Sequence, residues 1–379
     1  MRFLFLILFS LVIAQDRSAV VTGFCYLEDE TDHSGVEIIF EPLSETAQSS
    51  TVYTDDDGLF TAALVEGIYR ILYFKDSYIE YSILTIEIFV DTILPDITLE
   101  YGNSKTIFGG FLPSGTSYWY ADTTYRVSGD LSLNSGDVLQ IEAGTKIEFL
   151  GEYVFTAYGK LFAFGTQQDS IYFTSGMTSK NPGDWMGINF QGSSSQGSLL
   201  QYTVIEYAGA GPYDPGNIKI RNNTNFTLND CTIRYSSSNG LWGENENGTA
   251  ILNNCKVYSN QGSGIYLNYN SNLYLNNSEI FNNNGTGVNV RSYSFSEINN
   301  SKIYYNMNSG IVGHYDNSTV NVIGNQVNNN LGDGIVISNS QYVRNNTVVG
   351  NTQIGIRVDG SANEFRNNVI YNNGYEGLT

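Results

Sequence analysis

Three ten-residue stretches share one layout: CKVYSNQGSG at Cys255–Gly264, SEIFNNNGTG at Ser278–Gly287 and SKIYYNMNSG at Ser301–Gly310. Each places an apolar residue third, an Asn sixth and a Gly tenth. Working outward, the apolar step recurs at Ile233, Val257, Ile280, Ile303, Val327, Val348 and Ile370, with spacings of 24, 23, 23, 24, 21 and 22. The Gly step, at Gly240, Gly264, Gly287, Gly310, Gly334, Gly355 and Gly377, repeats the same six spacings. Two landmarks in one register through seven copies define an internal repeat. A period near 22 suits three short strands per turn, each pairing with its copy one coil on, about 4.8 Å away, as in a parallel β-helix. The Asn that follows the first landmark in six of the seven copies, from Asn260 to Asn373, is expected to form an amide ladder at a left-handed bend, with the Gly relieving a tight corner. Alternation from each Gly turns Leu241, Ile265, Leu267, Val288, Val290, Ile311, Ile335, Ile337, Ile356, Val358 and Leu378 inward. Cys231 and Cys255 face the same stack as Ser278 and Ser301, where a bridge between them stays open.

Upstream, 107–216 reads as the opening of the same solenoid. Its segments are Gly144-Thr145-Lys146-Ile147-Glu148-Phe149, Gly159-Lys160-Leu161-Phe162-Ala163-Phe164-Gly165-Thr166, Ile171-Tyr172-Phe173-Thr174-Ser175 and Trp185-Met186-Gly187-Ile188-Asn189-Phe190. This run resembles the start of secreted bacterial right-handed parallel β-helix proteins of the pectin-lyase-like superfamily. The resemblance implies the fold over 107–379 and leaves activity open. Thr379 falls two residues after Gly377, inside an inward-facing strand, which predicts a truncated reading frame.

Before the repeat, short apolar-patterned runs between Val20 and Leu99 read as a small antiparallel β-sandwich, giving an all-β chain overall. Thr54-Asp55-Asp56-Asp57-Gly58-Leu59-Phe60 and Val65-Glu66-Gly67-Ile68-Tyr69 resemble the signature of the carboxypeptidase regulatory-like (prealbumin-like) domain, a non-catalytic accessory module. The three Asp before Gly58 also invite a Ca²⁺ loop, but a strand intervenes before Glu66, so a turn is the favoured reading and no cofactor is implied. The expected organisation is a signal peptide at 1–14, the sandwich at 15–101, a linker at 102–106 and the β-helix at 107–379. The signal peptide rests on Arg2, the apolar run Phe3–Ile13, and Val12 and Ala14 before Gln15. No later run is long enough to span a membrane, so the chain is expected to be secreted or at the cell surface.

The 18 basic and 38 acidic residues of the 379 leave a net charge of −20, which excludes nucleic-acid binding. Residues 15–106 hold 18 acidic and 4 basic residues, against 20 and 13 in 107–379, so the charge belongs mainly to the small module. Two outward columns carry the site candidates. Four after each Gly run Glu244, Asn268, Arg291, His314, Ser338 and Asp359; His314 and Arg291, with nearby Asp316, are the candidate catalytic set. One after each apolar landmark come Tyr258, Phe281 and Tyr304, a candidate sugar platform, with Trp242 and Tyr266 two after their glycines as further ligand-binding residues. Glu206 and Arg234 read as a surface ion pair of small worth. The leading expectation is a non-catalytic surface or scaffold protein binding a polysaccharide or surface protein, with its oligomeric state open. The alternative is a polysaccharide lyase or glycoside hydrolase.

Overall fold

A computed structural model describes residues 17–43, 47–211, 216–244, 247–314 and 317–379. The proposed signal peptide lies outside them. The chain divides between Asn103 and Ser104 into two compact units.

In the first unit, Ser18–Leu27 pairs antiparallel with Leu59–Val65 and parallel with Thr92–Ile93 and Ile97–Leu99. A second sheet orders Ser50–Tyr53, Glu37–Pro42, Gly67–Phe74 and Tyr81–Ile88, all antiparallel. Strict alternation, as in the buried Ile38 and Phe40 of Glu37–Pro42, supplies the core between them. At the Asp-rich turn, Asp55 Oδ1 accepts from Leu59 N at 2.8 Å and Gly58 has φ +83°. That carboxylate therefore closes a turn.

Residues 102–106, expected as a linker, instead carry the strand Asn103–Ile107, at one end of a 12-stranded sheet. It opens a parallel β-helix. Each coil contributes a strand to a first ladder (Asn239–Glu244, Ile265–Asn268, Val288–Val290), a second (Thr249–Asn253, Asn272–Asn276, Phe295–Asn299) and a third (Lys256–Tyr258, Glu279–Phe281, Lys302–Tyr304). The first two ladders join in one 20-stranded sheet, and the third is the 12-stranded one. Where the repeat shortens to 21 and 22 residues, the first two strands of the coil fuse into Ile335–Arg344 and Ile356–Arg366. The inward stack is buried as expected from Leu241 to Ile356, while Val358 is partly buried and Leu378 is exposed.

The landmarks coincide because they meet in space. A Cβ on Gly264 would lie 2.6 Å from Ile280 Cγ2, 2.8 Å from the Gly287 carbonyl oxygen and 2.9 Å from Asn283 Nδ2, all on the next coil. The glycine is thus required by close approach rather than by a left-handed corner. Left-handed φ falls one residue before each ladder amide, at Ser259, Asn282, Tyr305, Asn329, Gly350 and Asn372, and at Tyr235 before Ser236, which takes the amide's place in the first copy. The ladder Asn themselves carry the bonding. Asn283 Nδ2 donates to Asn306 Oδ1 (3.0 Å) and to the Val257 carbonyl (3.1 Å), while its Oδ1 accepts from Asn260 Nδ2 (2.9 Å) and N (3.2 Å). Such complete satisfaction makes a buried amide stabilising rather than costly.

Cys231 and Cys255 are free and buried, their thiols donating to the carbonyls of Leu200 and Leu228. Their stack continues through Ser278 and Ser301 into Asn325, Asn346 and Asn368.

Candidate functional site

The third ladder places Thr174, Glu206, Arg234, Tyr258, Phe281 and Tyr304 in one outward column, one residue per coil. Its polar end is tied together. Arg234 Nε and Nη2 both reach Glu206 Oε2 at 2.6 Å, Arg234 Nη1 donates to the Tyr258 hydroxyl at 2.9 Å, and Thr174 Oγ1 donates to Glu206 Oε1 at 2.9 Å. Glu206 is only 5% exposed, so this is an embedded pair and not the surface pair expected from sequence. Burial, which disfavours the charged guanidinium, is outweighed by the bonds to Tyr258 and Glu206, and Arg234 stays charged.

Next along the column, the rings of Tyr258 and Phe281 stack at 4.7 Å and 11°, and those of Phe281 and Tyr304 at 5.0 Å and 4°. Near-parallel rings at that spacing spend their faces on one another and turn edges outward. A sugar stacks on a ring face, and in this column Phe281 gives both of its faces to Tyr258 and Tyr304. Burial and then Glu279, which accepts from the Tyr304 hydroxyl at 3.2 Å, push that phenol up to about 12.

Trp242 and Tyr266 stand elsewhere, on the first ladder, where Asn189, Lys219, Trp242, Tyr266 and Asn289 follow one another in register. Trp242 and Tyr266 stack at 4.6 Å and 20°. Beside them runs a second column of Arg221, Glu244, Asn268, Arg291 and His314 on the same face. Lys219 is 7% exposed, and burial pulls its ammonium below the ordinary lysine range. No hydrogen bond or ion pair among the described residues reaches its Nζ, which keeps some contact with solvent, whereas Asn189 Oδ1, Trp242 Nε1 and Asn268 Oδ1 are buried without a hydrogen-bond partner. Among the described residues of the coils from Gly216 to His314, these two columns carry Lys219, Arg221 and Arg291 together with Glu244, and Asp359 continues the second column further on.

Of the candidate catalytic set, Arg291 and His314 occupy adjacent coils as expected, while Asp316 lies outside the described residues. His314 Nε2 is 3.0 Å from Asn289 Oδ1, a contact that suits a tautomer with its proton on Nε2. Trp242 with Tyr266 and Arg291 with His314, which the sequence places in neighbouring outward columns, share one face. Lys219 and Asn189 escaped the reading because the Gly landmark slips there: Gly216 pairs with Asn239 rather than Gly240. The alternation of Ile218, Lys219, Ile220 and Arg221 would have found both cations.

Residues 216–373 match a family model described as right handed beta helix region. No curated protein matches. Among solved structures, a type II cohesin–X-dockerin complex from Acetivibrio cellulolyticus is 19% identical over 22% of this chain and 59% of that one, with a TM-score of 0.19. The chain thus spans 59% of that relative's length. The periplasmic alginate epimerase AlgG is 14% identical over 73% of this chain and 81% of its own (TM-score 0.40). The mannuronan C-5 epimerase A-module of Azotobacter vinelandii is 15% identical over 72% and 90% (TM-score 0.37). Among the described residues no helix is long and apolar enough to cross a membrane. The second unit of this all-β chain is a right-handed parallel β-helix.

Proposed function

We propose that the chain is an exported, non-catalytic scaffold whose first-ladder face binds an acidic glycan. The observation that carries this reading is Lys219: a desolvated ammonium without a counter-charge among the described residues, in register with the stacked rings of Trp242 and Tyr266. A ligand carboxylate would supply the missing charge, and the neighbouring rings and amides suit the rest of a sugar. Arg221 and Arg291 extend the positive face along the helix axis, so that a polymer could cross several coils. Export is supported by the charged start and short apolar run of 1–14.

Arg291 and His314 on neighbouring coils favour a second reading, in which the same face cleaves its polysaccharide. Glycan-array binding and depolymerisation assays on acidic polysaccharides, with and without Ca²⁺, separate the two. The scaffold reading expects retention of acidic over neutral glycans, a loss of about tenfold in Lys219→Met and Trp242→Ala, and no cleavage. Cleavage that disappears in Arg291→Ala would replace it with the lyase reading. Identical profiles for wild type and both binding variants would remove this face from either role.

A further inference from the structure

A separate cavity of about 340 Å³ opens on the second ladder, in the early coils. Tyr118 pairs with Gln140, Gln140 with Phe162 and Glu142 with Phe164, so these side chains share the outward surface, while the buried Trp119 and Ile141 complete the lining. The rim rings are open to solvent: Tyr118 and Tyr120 are 53% exposed and Phe164 44%. Unlike the stacked column of Tyr258, Phe281 and Tyr304, they surround a space that a guest can enter.

The buried part of the lining is braced. Trp119 stacks on Tyr125 at 4.5 Å and 14°, and the Tyr125 hydroxyl accepts from Tyr120 N at 3.0 Å. Glu142 is the formal charge in the lining, and its Oε2 accepts from Ala121 N at 3.3 Å. Burial pushes the Tyr125 phenol up against the lowering effect of the bond from Tyr120 N, and the nearby Asp122 and Glu142 act in the same direction as burial. Ring faces attract cations, and a carboxylate among them leaves an anionic guest repelled and an apolar guest without a counter-charge for Glu142.

We infer that this cavity binds an organic ammonium ion, with Glu142 as counter-charge and the rings of Tyr118, Tyr120 and Phe164 around the cation. A free alkylammonium and the side chain of a partner's lysine present the same chemistry. The site is distinct from the first-ladder face and is independent of the function proposed for it.

The full chain is titrated with choline, with Nα-acetyl-lysine amide, with 3,3-dimethylbutanol as the neutral isostere of choline, and with glucose, using calorimetry and Trp fluorescence. At least one ammonium probe is expected to bind about tenfold more tightly than the neutral isostere. The preferred ammonium identifies the source, a small molecule or a protein side chain. Glu142→Gln, which keeps the shape and the acceptor for Ala121, is expected to abolish the preference; Phe164→Leu, with an unchanged circular dichroism spectrum, is expected to weaken both ammonium probes. Equal affinity for choline and its isostere, a preference for glucose, or no saturable binding of any probe would overturn the inference.

Discussion

The third-ladder column and the first-ladder face use the same kinds of residue to opposite ends. Both stack aromatic rings and both carry half-buried or buried cations. In the third-ladder column Arg234 is held by Glu206 and Tyr258, and each of the rings of Tyr258, Phe281 and Tyr304 covers another. On the first-ladder face Lys219 stays unpaired among the described residues, and the indole nitrogen of Trp242 has no acceptor. Residue type alone therefore does not mark a binding surface on a solenoid. What marks it is whether neighbouring coils already satisfy one another.

Three variants can break or sharpen that contrast. Glu206→Ala strands the Arg234 guanidinium in a desolvated site and is expected to cost about 3 kcal/mol in chemical denaturation; a loss no larger than at an exposed charge would show that the third-ladder column is not closed. Phe281→Ala removes the middle ring of two stacked pairs and is expected to cost about 2 kcal/mol, with glycan binding unchanged. Weakened glycan retention in that variant would return the platform role to this column.

Lys219→Met should act in the other direction, raising stability at neutral pH by on the order of 1 kcal/mol, because it removes an unpaired buried ammonium. Burial depresses the folded-state pKa below that of the unfolded chain, so the wild type gains stability as pH rises from the folded-state pKa toward the ordinary lysine value. The advantage of Lys219→Met is therefore full at neutral pH and closes in alkali. Thermal unfolding from neutral pH to pH 11 checks this, and a wild type as stable as the variant at neutral pH would mean that Lys219 has a partner.

Much of this fold was legible because stacking repeats identical residues. The apolar, Asn and Gly landmarks recur in sequence since they touch in space, as Ile280, Asn283 and Gly264 do. The site was less legible, for two physical reasons. A ring column reads the same whether its faces are open or spent, so Tyr258, Phe281 and Tyr304 looked like a platform. Where the corner geometry changes at Gly216, the landmark lost register and hid Lys219. The cavity at Tyr118 and Phe164 left no signal in the repeat because it precedes the regular coils.

The amide ladder has a mechanical consequence. Its bonds, from Asn260 through Asn373, run along the solenoid axis together with the strand pairing. Tension applied to the chain ends would load one coil's bonds at a time, because a coil touches only its neighbours. Extension should then proceed in steps of one repeat, about 80 Å of released chain each, with the intact remainder keeping its surface while the end yields.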